Sequence, residues 1–306
     1  MQTRLIHYFL ALEKEKHFGR AAELCNVSQP TLSAGIARLE EELGKRLILR
    51  DRKFAGLTAE GAAILPWARQ MIAAQDGMAQ AAGRARGPLQ GELRLGVVPA
   101  AMPAVGFIGA ALLARHPEVN ISVRALTSRQ IERDLAAFEI DAGLTYLDFE
   151  PPAHSLSVPL YTEHYLLVGA AEGGSAQSDG SAARPVDWEE AARYPLCLLH
   201  QGMQNRRILD ANLARRGLAL RPVVTADSYI ALLALVRQGR LHSIIPDSHG
   251  LLLDGLRWAR MTPLAPMESG SRIGVIVSDR SPLGALAEAV IQLIRDTPLP
   301  PEFGAP

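Results

Sequence analysis

Two cysteines in 306 residues leave no room for a disulfide scaffold. Cys25 and Cys197 both sit in apolar segments, where a thiol acts as a small hydrophobe, so a reducing cytoplasm is the expected compartment and a thiol switch the lesser reading. No apolar run approaches the length of a membrane span, which argues against a membrane partner. The N-terminus, MQTRLIHYFLALEKEKHF, meets charges within its first few residues, unlike a secretory leader. The eight histidines are scattered without metal-ligand spacing, and no cofactor is expected. A nucleophile elbow, a Gly-rich dinucleotide loop after a strand and a Walker sequence are all missing, which opposes an enzyme.

What is present is an ordinary globular composition, 48% hydrophobic and 21% charged, long enough for two or three domains. The net charge of zero hides a division. Residues 1–90 carry 13 Lys/Arg and 9 Asp/Glu, whereas the remainder carries 19 and 23. A mildly basic N-terminal part joined to an acidic body suggests different partners for the two.

The stretch TRLIHYFLALEKEKHF reads as an amphipathic helix, GRAAELCNV as a short second one, and SQPTLSAGIARLEEELG as a third. Ser28 is a good N-cap for the third helix, and Pro30 falls in its first turn, where a missing N–H costs nothing. Leu32, Ile36, Leu39 and Leu43 form the expected core stripe, leaving Gln29, Thr31, Ser33 and Arg38 off it. Helix, tight turn, helix with a small polar N-terminal end is a helix-turn-helix. Its second helix can enter the major groove, with Gln suited to adenine and Ser/Thr to bases or phosphates. A plain surface helix with an N-cap is the alternative for SQPTLS taken alone. The next segment, GKRLILRDRKFAGLT, places Lys45, Arg46, Arg50, Arg52 and Lys53 around a β-prone run, as in a short wing with a basic tip for phosphates.

The segment RAAELCNVSQPTLSAGIARLEEELGKRLILRDRKFAGLTAEG resembles the DNA-binding segment of LysR-type transcriptional regulators. The match comprises an Ala-Ala pair, Ser-Gln-Pro, a second Ser, Leu-Glu, Leu-Gly, an Arg wing and Leu-Thr before Gly. The resemblance implies base contacts from Gln29, Pro30 and Ser33, and phosphate contacts from Ser28, Thr31, Arg50 and Arg52, with Arg38 and Lys53 beside them. Ala34 and Gly35 depart from the Arg and Gln common in the family, which implies a different operator preference.

From a Thr58 cap, a helix is expected to run to about Gly83, with Ile64, Ala68, Met71, Gln75, Met78 and Ala82 in one stripe widened by Leu65, Ile72 and Ala79. In the family this is the dimerisation helix; docking on the chain's own body is the other reading. Pro66 should bend it, and Trp67 is expected to pack. Residues 83–91 read as a hinge.

From Glu92 strands and helices alternate in two successive βαβαβ series, which predicts mostly parallel sheets in two Rossmann-like halves with a ligand cleft between them. The full expectation is an N-terminal all-α winged helix-turn-helix (1–58), a long linker helix and hinge (59–90) and a C-terminal α/β effector domain (91–306). Half I would comprise 91–164 and 268–306, and half II 165–267, with crossings near Tyr165 and Met267. The fold resembles periplasmic binding proteins. Residues 170–184 read as a flexible loop and 297–306 as a disordered tail. The family resemblance implies effector contacts at Pro99, Ala100, Ala101 and Met102, at Thr127 and Ser128, at Tyr146, and at His200, Gln201 and Gly202. The expected partners are double-stranded promoter DNA, a small anionic effector and further copies of the chain, a homodimer assembling to a tetramer, with RNA polymerase as an additional candidate. AILPWARQM, GVVPAAMP and LTSRQIERDLAAFEIDAGLTYL are similar to a subgroup encoded beside formate dehydrogenase clusters. An α/β enzyme, or a binding protein with an accessory DNA-binding domain, is the alternative.

Overall fold

The computed structural model describes residues 2–51, 53–84, 89–148, 150, 155–171, 184–267, 271–297, 299–300 and 303. Helix α1, Thr3–Glu15, buries Leu5, Ile6, Tyr8, Phe9, Ala11 and Leu12 on one face. Helix α2, Phe18–Leu24, is capped by His17, whose Nδ1 accepts from the backbone N–H of Gly19 and Arg20. Helix α3, Gln29–Leu43, starts at Ser28, whose hydroxyl accepts from Thr31 N at 3.3 Å. Its buried side is Leu32, Gly35, Ile36 and Leu39, while Leu43 is 40% exposed and drops out of the expected stripe. Gly35 supplies the inner contact instead. A Cβ there would lie 2.5 Å from the Tyr8 ring, so α1 and α3 approach through a missing side chain.

The wing consists of strands β1, Ile48–Asp51, and β2, Lys53–Leu57, paired antiparallel. Glu40 on α3 accepts from the N–H of Leu47 (2.9 Å) and Ile48 (3.2 Å), which fixes where the wing leaves the helix. Thr58 donates to Arg46 O (2.7 Å) and accepts from Gly61 N (2.9 Å), closing the wing and capping the next helix with one hydroxyl.

That helix, α4, spans Ala59–Arg84. At 1.5 Å per residue it is about 39 Å long. Its first half docks on the N-terminal core through Ala68, Ile64, Leu65 and Ile72. Trp67 is 68% exposed and Met78 75% exposed, so neither packs within the protomer, and for Trp67 this differs from expectation. Arg69 lies between Glu13 of α1 (3.2 Å) and Glu139 of the C-terminal body (2.8 Å), tying three parts of the chain together.

The C-terminal body contains two five-stranded sheets. The first, in order β4-β3-β5-β12-β6, is built from β3 Gln90–Val97, β4 Glu118–Ala125, β5 Ala142–Tyr146, β6 Ser155–Glu163 and β12 Ser271–Ser278. The second, in order β11-β7-β10-β8-β9, is built from β7 Tyr165–Ala170, β8 Leu196–Leu199, β9 Val224–Ala226, β10 His242–Pro246 and β11 Ala259–Pro263. A 3-10 turn, Pro99–Ala101, leads into α5, Met102–Arg115; α6 is Ser128–Ala136, α7 Trp188–Ala191, α8 Gln204–Ala214, α9 Tyr229–Arg237, α10 Asp247–Leu253 and α11 Ala285–Asp296. The chain leaves the first sheet after Glu163, enters the second at Tyr165, and returns between Pro263 and Ser271.

The sheets are mixed. β12 runs antiparallel to β5 and β6, and β7 antiparallel to β10 and β11. Each enters its sheet from the other half without a crossover helix, so nothing forces it parallel. The tail also differs from expectation. Phe303 is fully buried, edge-on to Phe107 (5.0 Å between centroids) and to Tyr161 (5.3 Å). Apart from its ends, the 170–184 loop lies outside the described residues.

Candidate functional site

The core-facing side of α3 leaves its N-terminal end open. Ser28, Gln29, Pro30 and Thr31 are exposed and Ser33 is half-buried. Gln29 and Ser33 are four apart, so they sit on one face, beside Pro30. The Ser28 and Thr31 hydroxyls lie 2.8 Å apart, so a phosphate would share donors with an existing bond. Arg38 is exposed and paired with Glu42 at 3.3 Å, one turn further along α3. At the surface such a pair is worth well under 1 kcal/mol, too little to hold the guanidinium back from a phosphate. Arg50 and Lys53 lie on the two wing strands, with only their backbone described, and Arg52 lies outside the described residues. Beside this end, an open groove of about 620 Å³ runs between α1, the end of α2 and α4, lined by Tyr8, Leu24, Cys25, Val27 and Gln75 among others.

The second cluster lies where the two sheets face each other. Pro99, Ala100, Ala101 and Met102 form the turn into α5, with both alanines buried. Thr127 is the N-cap of α6 in a reciprocal pair with Gln130, which occupies its hydroxyl. Ser128 is thereby free of capping. Buried, it donates to Gln204 Oε1 on α8 and accepts from Thr145 Oγ1 at 3.1 Å. Tyr146 donates to Glu163 (2.9 Å) and accepts from Asn205 Nδ2 (2.7 Å). Ser248 donates to Ala100 O at 3.4 Å, and Arg207 pairs with Glu150 at 2.8 Å. The bonds made by Gln204, Asn205, Ser248 and Arg207 join the two halves across the cleft.

His200, Gln201 and Gly202 lie on an exposed turn of their own, with Gly202 N donating to His200 Nδ1 at 3.0 Å. The cross-cleft contacts come from Gln204 and Asn205 immediately after it. Sequence reasoning did not single these two out, nor Thr145, Glu163, Tyr229, Ser248 or His249. The available signal was a run of polar side chains, QNRR, opening a helix after a buried strand. Neither α5 nor α8 has a side-chain cap; α5 continues from the 3-10 turn, with Met102 N–H donating to Pro99 O and Pro103 lacking an N–H.

Burial sets the protonation states. Glu163 is pushed up to about 8, against the opposing pull of bonds from Tyr165, Tyr146 and Asn205. His249 is pushed down to about 4 by burial and stays neutral. Tyr146, Tyr165 and Tyr229 are raised by the same desolvation. Both thiols are raised by burial, and they belong to separate cores: Cys197 in the body, Cys25 against the N-terminal domain. Among the described residues no three His, Cys, Asp or Glu side chains converge as a metal site, and no helix is long and apolar enough to cross a membrane.

A winged helix-turn-helix joined by a long helix to a two-sheet α/β body with a polar cleft is the architecture of a DNA-binding transcription regulator. The chain belongs to the LysR family: residues 3–62 match the bacterial regulatory helix-turn-helix protein, lysR family, and residues 86–298 match the LysR substrate binding domain. It is 41% identical over 163 residues to a "Probable hydrogen peroxide-inducible genes activator" of Mycobacterium xenopi, covering 52% of this chain and 84% of that one. It is 28% identical over 283 residues to the uncharacterized HTH-type transcriptional regulator YnfL of Escherichia coli, covering 90% and 92%. In fold it is similar to full-length OxyR of Pseudomonas aeruginosa, with a TM-score of 0.73, 24% identity and 96% and 95% of the chains covered. It is similar also to CbnR complexed with its target DNA, with a TM-score of 0.68, 21% identity and 97% and 99% covered.

Proposed function

We propose that this LysR-family regulator binds an inverted-repeat promoter site as a dimer that assembles to a tetramer, and that a small anionic metabolite entering the cleft changes that binding. The exposed polar end of α3, held above its core by the Ser28 cap, carries the DNA reading. Gln29, Pro30 and Ser33 read base edges, and Ser28, Thr31, Arg38, Arg50, Arg52 and Lys53 serve phosphates. The protein acts by binding, in the cytoplasm, within reach of RNA polymerase. We divide it at 58 and 90 into DNA-binding, linker and effector parts, the last into halves 91–164 with 268–306 and 165–267.

The uncovered apolar side of α4 supports pairing with a second copy, which would present two recognition helices to two half-sites. Met78→Glu is expected to shift the sedimentation of full-length protein at micromolar concentration towards the monomer. Its N-terminal domain should melt as before, since Met78 packs on nothing in the protomer. An unchanged association constant would rule this face out.

For the effector, the contacts we propose are Pro99 to Met102, Thr127, Ser128, Tyr146 and His200 to Gly202, near the N-terminal ends of α5 and α8, whose dipoles favour an anion. Small carboxylates from formate upward should raise the melting temperature of the full-length protein. Saturation at about 100 times Kd corresponds to roughly 2.7 kcal/mol. If no small anion shifts the transition, the cleft reading fails. The formate association rests on the three sequence segments quoted above. Relatives named for hydrogen peroxide invite a thiol reading, but an intramolecular disulfide has only Cys25 and Cys197 to draw on, and these lie in separate cores.

A further inference from the structure

At the hinge, β6 passes the chain to β7 through His164. Tyr161 and Glu163 are two apart on β6 and share a face of the strand. Tyr146 reaches the Glu163 carboxylate from β5, Asn205 from α8 and Tyr165 from β7, all as hydrogen-bond donors. Tyr229 on α9 and Asp247 at the start of α10 act on it electrostatically. The other titratable neighbours are His164, 3.5 Å from Asp247, and His249, stacked 4.3 Å from Tyr229. Among the described residues no Lys or Arg forms an ion pair with Glu163, so its charge is buried among donors without a counter-charge. A carboxylate in that position must find a cation or take up a proton.

Two further observations concern the surroundings of Glu163. The Tyr229 hydroxyl and His249 Nδ1 are buried with no hydrogen-bond partner. Unsatisfied buried polar atoms are uncommon, and these two lie near Glu163 but outside the lining of the hinge cavity. Glu163 and Tyr165 also line a cavity of about 150 Å³ at the hinge, with Thr162, Pro266, Met267 and Ser271. That volume equals about five waters in the liquid, or a ligand of roughly five heavy atoms.

We propose that this hinge cavity binds a small organic ammonium cation, with Glu163 as its counter-ion and Tyr165 beside it in the lining. A tyrosine face attracts an ammonium group, so Tyr165 and the carboxylate act together. The cavity spans the two chain crossings about which the halves would move, and its carboxylate is also reached by Asn205 from the first turn of α8. Glu163 is protonated at neutral pH, raised to about 8 by burial. A cation therefore binds with release of a proton, and apparent affinity rises with pH. Below about pH 8 the rise approaches tenfold per unit, and above it the affinity levels off.

Ethylammonium chloride, compared with sodium acetate and sodium chloride at equal ionic strength, tests this on the full-length protein at pH 6, 7 and 8. Ethylammonium is expected to raise the melting temperature, with calorimetric affinity about tenfold higher at pH 7 than at pH 6. Glu163→Gln keeps the shape and the hydrogen-bonding capacity but not the charge, and should abolish both the shift and its pH dependence while promoter binding persists. Equal ethylammonium shifts in the parent and Glu163→Gln proteins, or an affinity independent of pH, overturns the proposal. So does a shift with sodium chloride as large as that with ethylammonium. If Glu163→Gln fails to fold, the pH dependence of the parent protein decides alone. Promoter binding, measured in parallel, separates failure of this site from failure of the regulator reading.

Discussion

Gly61→Ala is expected to lower the melting temperature of the N-terminal domain by roughly 10–20 °C and to abolish specific DNA binding. A Cβ at this position would lie 2.1 Å from the carbonyl oxygen of Leu47. The obstacle is backbone, so no rotamer change relieves it. Either α4 moves off the wing, or the Glu40 and Thr58 bonds that place the wing are broken. Overpacking of this kind costs about 3 kcal/mol, more than the roughly 1 kcal/mol that alanine gains over glycine in a helix. Gly35→Ala meets only the Tyr8 ring and should cost less, because a side chain can yield. Circular dichroism melts of both variants give the comparison. A Gly61→Ala protein melting within a degree or two of the parent would show that the wing and α4 are not held as described.

Gln29→Ala is expected to reduce discrimination between the protein's own promoter and arbitrary duplex by about ten- to a hundredfold per half-site, the value of one bidentate base contact. A symmetric dimer carries the loss twice. Binding to arbitrary DNA should change little, because Gln29 is neutral and exposed. Arg52→Ala should behave oppositely, weakening both kinds of binding together. The slope of log affinity against log salt should become shallower by about 0.9 for each phosphate no longer neutralised. Fluorescence anisotropy over a salt series separates the two. Equal losses on both DNAs for Gln29→Ala would place the residue away from base edges.

What was legible in the sequence was local. Ser28 and Thr58 are caps because their hydroxyls reach N–H groups three residues on, and Leu32, Ile36 and Leu39 repeat on one turn-spaced face. What was not legible depends on partners far along the chain. Glu40 reads as one of three consecutive glutamates until its bonds to Leu47 and Ile48 set it apart. Gly61 reads as a weak spot in a helix until Leu47 is placed against it. Leu43 continues the periodicity but falls beyond the core, at the end of α3. In the body, strand segments with helices between them announced two halves, but β7 and β12 are antiparallel because they arrive from the other half, which no local pattern records. Glu163 lies in a strand that the sequence pattern did not mark, beside the crossing expected near Tyr165, and its burial arises only when α8, β5 and β7 close around it. Phe303 sits in a Pro-rich tail, where composition predicts disorder, and its own burial depends on Phe107 and Tyr161, far away in the sequence.

The central claim is that α3 reads a DNA groove and is presented in duplicate by α4. Sedimentation of full-length protein with labelled promoter duplex, at about 0.15 M salt, where non-specific attraction is screened, measures both parts at once. The expected result is an even number of protomers on one promoter duplex, with affinity for it at least about a thousandfold above that for arbitrary DNA of the same length. A single protomer bound equally well to either duplex would contradict the claim.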